Sequence, residues 1–225
     1  MENDIKIYRE KELKSYVIGN IILILLGSKY VDYIIFAIGS ENIGSTLEFL
    51  FSSSLVSSLV YIYTYIIDAL IPGDVKNRII WWNKGLPGNR VFSDIKNNNK
   101  DNRFTTEEVL EKYKSVYNEI REKSETERKN IENSAWYNAY QKNENSAKVF
   151  VSNRDWLLCR DMCAMTLWII IGSVFVFITL RKMPPIWLIS VLVFELLGTW
   201  GAARVKSKRF VYNVIAKDVR KKTEN

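Results

Sequence analysis

Residues 163–203 read CAMTLWIIIGSVFVFITLRKMPPIWLISVLVFELLGTWGAA, and this stretch decides the class of the protein. A bilayer hydrocarbon core of about 30 Å is crossed by about 20 helical residues. Residues 163–180 contain no charge, and residues 184–203 contain only Glu195. Arg181, Lys182, Met183, Pro184 and Pro185 separate them. Proline cannot continue a helix, so this pentad reads as a tight turn between two antiparallel spans. Trp168, Trp187 and Trp200 lie near the block ends, where aromatic rings favour the membrane interface.

Working towards the N-terminus, two more apolar blocks occupy residues 16–39 and 47–71. The first is interrupted by Ser28, Lys29, Tyr30, Val31 and Asp32. Lys29 and Asp32 are three apart and can pair on one helix face, which makes an intramembrane charge tolerable. The helices of a soluble core do not come as two hairpins with almost no polar spacer inside each. A cleavable signal peptide is not expected either. The leader carries Glu2, Asp4, Glu10 and Glu12, and residues 40–46 lead straight into another apolar block. The expected fold is an all-α integral membrane protein with four transmembrane helices in two hairpins and a helical cytoplasmic insert. Its segments are an N-terminal stretch (1–15), hairpin one (16–71), a cytoplasmic helical domain (72–162), hairpin two (163–203) and a basic cytoplasmic tail (204–225).

The 225 residues carry 32 Lys+Arg against 25 Asp+Glu, a net charge of +7, and no histidine. Without histidine, the Ser-His-Asp and Cys-His nucleophiles and the usual zinc triads are absent. Cys159 and Cys163 are the two cysteines. They cannot assemble four metal ligands, and they read as small buried residues. Basic residues flank the inner ends of spans. The tail, with Arg204, Lys206, Lys208, Arg209, Lys217, Arg220, Lys221 and Lys222, and the basic middle segment therefore belong in the cytoplasm, as do both termini. Arg181 and Lys182 oppose that rule weakly. The expected location is a membrane crossed several times, with both termini on its cytoplasmic side.

Within the middle segment, Thr105 with Glu108 and Ser124 with Glu127 form capping boxes. Val109, Leu110, Tyr113, Val116, Tyr117 and Ile120 recur at helical spacing, as do Ile131, Ala135, Trp136, Ala139 and Tyr140. The two faces are expected to pack as a helical hairpin. Leu86–Gly88 and 97–102 read as loops. From Ala147 onward nothing breaks a helix before the third span, so it reads as one rod. Ile79, Ile80, Trp81 and Trp82 read as an interfacial anchor or as a binding surface.

The most informative polar pattern lies in the second block. Ser53, Ser54, Ser57, Tyr61, Thr64 and Asp68 share one helical face, opposite Leu55, Leu59, Ile62, Ile66 and Leu70. Lipid tolerates the second face and not the first. The polar face meets another helix or lines a hydrated path in a homo-oligomer. Ser53, Ser57, Tyr61, Thr64, Asp68, Glu195 and Lys29 are the candidate intramembrane polar or pore residues, and Glu195 is also placed to pair with Lys29.

No Walker loop, dinucleotide fingerprint, nucleophile elbow or metal cluster is present, so the protein is not expected to be an enzyme or to need a cofactor. The basic tail reads as a topology signal and a lipid contact rather than a nucleic-acid site. Several short stretches accompany the two hairpins. They are Leu86-Pro87 with Phe92-Ser93-Asp94-Ile95, Asp101-Asn102-Arg103-Phe104, Ser152-Asn153-Arg154-Asp155, Arg160-Asp161, and Ala203-Arg204 with Lys208-Arg209-Phe210-Val211. The arrangement resembles the small four-span membrane effectors of bacterial anti-phage defence systems, those tied to cyclic-nucleotide, TIR-derived-nucleotide and short-Argonaute signalling. The resemblance covers most of the chain and is one of architecture. It implies disruption of inner-membrane integrity or potential after a cytoplasmic trigger, delivered by a signalling partner or a nucleotide second messenger. It transfers no ligand-binding residue. The rival reading is a non-toxic anchor or assembly subunit that holds a cytoplasmic partner at the bilayer. The two readings share one topology, and alkaline phosphatase fusions test it. A fusion after Lys182 is expected to be active and one after Glu132 inactive, and activity at Glu132 inverts the orientation.

Overall fold

The computed structural model describes residues 2–27, 58, 62, 65, 66, 69–179, 181 and 183–220. Among them every regular element is helical. The α-helices are α1 (Glu2–Gly27), α2 (Gly73–Trp81), α3 (Val91–Asn98), α4 (Thr106–Lys112), α5 (Lys114–Ile120), α6 (Glu125–Asn143), α7 (Ala147–Thr179) and α8 (Ile186–Arg220). Two short 3-10 turns, Trp82–Lys84 and Pro87–Arg90, stand between α2 and α3. Helices α7 and α8 are long and apolar enough to cross a membrane. The apolar windows of these two helices are only 33% and 17% buried, the reverse of a soluble core helix. Most of the first two apolar blocks falls outside the described residues. The chain divides into two compact units, each described below by itself.

The first unit draws on Glu2–Lys76 and Leu158–Gly201. Leu13, Val17 and Asn20 follow helical spacing and form the buried face of α1. The Tyr16 hydroxyl lies 2.6 Å from Thr166 Oγ1 of α7, and Asn20 Nδ2 donates to Glu195 of α8 at 3.0 Å. Phe177, Leu188 and Leu192 form a buried apolar cluster with Leu23, Ile24, Ile169 and Ile170 packed on it. Asp161 is fully buried and meets Arg9 (3.2 Å), Arg160 (3.1 Å) and Lys76 (3.5 Å), which ties α1, α2 and α7 together. The outward faces are apolar: Phe175, Ile178, Ile186, Phe194 and Leu197 are all exposed. Between α7 and α8, Arg181 turns the chain with a φ of +51°. Cys163 is buried and Cys159 half-buried, and both are free thiols.

The second unit draws on Asn77–Leu157 and Ala202–Asn225. Both expected capping boxes are present. Thr105 N–H donates to Glu108 at 2.7 Å and Glu108 N–H returns to Thr105 Oγ1 at 3.2 Å. Ser124 and Glu127 do the same at 3.1 and 3.4 Å. The sequence pattern from Val109 to Ile120 is not one helix, however. It breaks at Tyr113, whose φ of −107° and ψ of 29° separate α4 from α5. The break follows the chemistry of the Tyr113 ring, which sits 4.6 Å from Phe92 while its hydroxyl donates to Asp218 at 2.7 Å. Trp136 is half-buried, stacked on Tyr140 and edge-on to Phe210. Gly88 packs so closely on Trp136 that a Cβ there would lie 3.0 Å from the indole.

Three further readings are corrected. Residues 91–98 form α3, with Val91, Phe92 and Ile95 buried, so Asn97 and Asn98 end a helix where the sequence reads as loop. Its N-terminus is capped from a distance by Glu132 of α6, which accepts from Phe92 N (2.9 Å), Ser93 N (3.1 Å) and the Ser93 hydroxyl. Burial pushes the Glu132 carboxyl above its ordinary range, against the pull of those donors. The Ile79–Trp82 cluster is also divided. Ile80 and Trp81 are buried, while Trp82 is exposed with a φ of +48°. Finally, residues 204–220, read as part of a basic cytoplasmic tail, are helical. They complete α8 and put Ser207, Phe210, Val211, Val214, Ile215, Asp218 and Val219 into the core of this unit.

Asp218 binds the unit together. It accepts from Tyr113, from Asn143 Nδ2 at 2.8 Å and from Lys112 Nζ at 3.0 Å. Burial alone would push its carboxyl up. The Tyr113, Lys112 and Asn143 donors outweigh that and hold it below the ordinary range. A lowered folded pKa adds stability above the ordinary carboxylate range and loses it as pH falls through the folded value. Asp218→Asn is therefore expected to cost about 3 kcal/mol at pH 7 and to flatten the acid limb of the stability curve. Tryptophan-monitored unfolding of the full protein in detergent, from pH 7 to pH 3, measures both effects. A variant with the wild-type curve contradicts the assignment.

Candidate functional site

Of the seven residues selected for an intramembrane polar face, Lys29, Ser53, Ser57, Tyr61, Thr64 and Asp68 lie outside the described residues, as does Ser54. Glu195 is described. It is half-buried on α8 and its partner is Asn20. Tyr16, Gly19, Asn20, Glu195, Gly198 and Thr199 line an open groove of about 610 Å³ in the first unit, with Leu23, Val191 and Phe194 on its apolar side. Chemically, Glu195 there is a hydrogen-bond acceptor that fastens α1 to α8.

The second unit holds a feature that the sequence reading did not assemble. Two adjoining recesses open between the 3-10 turns, α3, the loop after it, and α8. The smaller, about 240 Å³, is lined by Trp81, Lys84, Arg90, Arg204, Val205 and Lys208. The larger, about 610 Å³, is lined by Pro87, Arg90, Asp94, Asn97, Asn98, Lys100, Asp101, Arg103, Lys208, Arg209 and Tyr212. Arg90 and Lys208 belong to both. Lys84, Arg90, Lys100, Arg103, Arg204, Lys208 and Arg209 thus face only two carboxylates, Asp94 and Asp101.

Both carboxylates are already engaged. Asp94 lies 3.4 Å from Arg90. Asp101 accepts from Arg103 Nε at 2.7 Å and from Arg103 N at 3.0 Å. The Arg103 guanidinium holds the Asp101 carboxyl below its usual range, so the acid stays ionised and bound to its neighbour. Arg103 also donates to Asn213 of α8. With seven basic side chains against two carboxylates, the cleft is a site of positive potential.

The aromatic groups are equally ordered. Trp81 is 3% exposed, with the Arg204 guanidinium 5.0 Å and that of Arg90 5.6 Å from its ring centroid. Cations above an indole are held by the ring quadrupole and keep their charge available. Tyr212 stacks on Phe104 with centroids 6.3 Å apart. Burial pushes its phenol up, and Asp94 and Asp101 add to the effect, so it stays neutral at physiological pH. One buried donor at this site, the Trp81 indole N–H, has no hydrogen-bond acceptor among the described residues, and the buried Arg90 Nε faces the Asp94 carboxylate at 3.4 Å. A buried donor is rarely left without an acceptor.

Part of this cleft was visible in the sequence. Asp101-Asn102-Arg103-Phe104 and Lys208-Arg209 were singled out, but without a role. Arg204, Lys208, Arg209 and Tyr212 fall at helical spacing, which is the signal that α8 presents them on one side. Nothing local to the sequence tells that residues 81–103 come to face them. The described residues hold no group of His, Cys, Asp or Glu suited to a metal. No family model, curated protein or solved structure matches the chain.

Proposed function

We propose that this protein is a signal-gated effector of the bacterial inner membrane that acts in anti-phage defence, with four spans, both termini in the cytoplasm, and membrane disruption after a cytoplasmic trigger. The reading rests on one observation above others: α8 belongs to two kinds of surface. Its residues 186–197 leave Ile186, Trp187, Val191, Val193, Phe194 and Leu197 exposed, which suits lipid and is costly in water. Its residues 204–212 supply Arg204, Lys208, Arg209 and Tyr212 to a cationic cleft. A chain that joins a lipid-type surface to a receptor-type cleft has the parts an effector needs.

On this reading the two apolar hairpins do the damage. Ser57, Thr64 and Asp68, on the polar side of the second block, and Glu195 are the groups that a hydrated path through an oligomer would use. The anchor reading keeps the same topology and needs no such path. Toxicity separates the two. Cells expressing the protein with its flanking genes are expected to lose membrane potential on phage challenge, as read by a potential-sensitive dye. The Ser57→Leu, Asp68→Leu double variant is expected to insert and accumulate normally and to leave the potential intact. A wild type that never depolarises cells, or a double variant that does so equally well, replaces the effector with the anchor.

A further inference from the structure

We infer that the paired recesses of the second unit form a binding site for a phosphate ester bearing a planar ring, in chemical terms a nucleotide with more than one phosphate. Its phosphates would occupy the smaller recess and its ring the larger. The inference deepens the effector reading, from which it takes the idea of a trigger, but binding itself stands on the cleft alone.

The smaller recess has the chemistry of an oxyanion site. Lys84, Arg90 and Lys208 line it together with Trp81. Trp81, whose indole N–H has no acceptor among the described residues, forms part of its wall, and Arg90 is held there by Asp94 at 3.4 Å. Charge-assisted hydrogen bonds from Lys84, Arg90 and Lys208 to phosphate are about twice as strong as neutral ones. A recess of about 240 Å³ admits a tetrahedral oxyanion and excludes the folded surface of a protein. That argues for a small ligand over a docking protein.

The larger recess differs in kind. Beside its cations it carries the Tyr212 ring and the amides of Asn97 and Asn98. A neutral aromatic ring supplies a stacking face, worth about 1–3 kcal/mol for a nucleic base, and each amide offers both a donor and an acceptor to a ring edge. Arg90 and Lys208 line both recesses, so a ligand whose charge lies on one side of them and whose ring lies on the other would span the shared wall. Free phosphate and a lipid headgroup share the phosphate chemistry but bring no ring.

The test uses the full-length protein in detergent. Its probes are the four ribonucleoside triphosphates, inorganic pyrophosphate, and vesicles of phosphatidylglycerol, and binding is read by calorimetry and by thermal shift. At least one triphosphate is expected to bind at least about tenfold tighter than pyrophosphate, a difference of about 1.4 kcal/mol. Lys208→Ala with Arg209→Ala, both exposed positions whose loss leaves the fold intact, is expected to weaken triphosphate and pyrophosphate alike. Tyr212→Leu is expected to weaken the triphosphate alone. Equal affinity for triphosphate and pyrophosphate overturns the ring subsite. Binding to anionic vesicles only, abolished by the double alanine variant, makes the cleft a lipid headgroup site and overturns the proposal. No binding by any probe overturns it as well. Triphosphate binding by a protein that never depolarises cells would leave this inference standing and remove the effector reading. Depolarisation without triphosphate binding would do the opposite.

Discussion

The Asp218 carboxylate sits near the end of the longest helix, and three donors from two other helical segments converge on it. A buried carboxylate without such partners would be costly, by several kcal/mol, so the arrangement fixes its neighbours as much as it is fixed by them. Tyr113, which donates to it, stands at the end of α4 with a φ of −107°. Asn143 reaches it from the last turn of α6. Helix α6 in turn carries Glu132, whose carboxylate caps α3, and Trp136, against which the Gly88 backbone lies. Helix α3 and the turn before it supply Arg90, Asp94, Asn97 and Asn98 to the cleft. The cleft is thus held open by contacts made elsewhere. Of its cations, Arg103 ties the loop after α3 to Asn213 of α8, and Arg90 pairs with Asp94.

Helix α8 is subject to two sets of rules. At 1.5 Å per residue its 35 residues reach about 52 Å, well beyond the roughly 30 Å of a bilayer core. Residues 186–201 expose branched and aromatic side chains, with Glu195 given to Asn20. Residues 202–220 bury an apolar face and expose cations, as a helix in a water-soluble domain does. The same holds for α7, which carries the fully buried Val149 and the buried Trp156 before its apolar run begins.

Much of this architecture was legible because it rests on local patterns. The capping boxes at Thr105 and Ser124 depend on neighbours three residues apart, and they form as read. The apolar runs of residues 163–180 and 184–203 are a matter of composition, and they are helical over almost all of their described length. What escaped the sequence depends on distant partners. Residues 204–220 were weighed by charge, and the count of lysines and arginines hid the spacing of Ser207, Phe210, Val214 and Asp218. The polar members of that face, Asn213 and Asp218, look exposed until Arg103, Tyr113 and Asn143 are seen to meet them. Helix α3 escaped for a similar reason: its cap is Glu132, forty residues from Phe92. The cleft needs both surprises at once, since one wall comes from α3 and its turn and the other from the end of α8.

The effector reading requires that α8 meet lipid over residues 186–197 and water over residues 204–212. Spin labels on single cysteines along α8, with Cys159 and Cys163 replaced by alanine, report this through collision with oxygen, which favours lipid, and with a water-soluble nickel chelate. Labels at Phe194 and Leu197 should show high oxygen and low nickel accessibility in liposomes, and labels at Lys208 and Arg209 the reverse. Nickel accessibility at Phe194 equal to that at Lys208 would contradict the account, because the apolar face would then be meeting water.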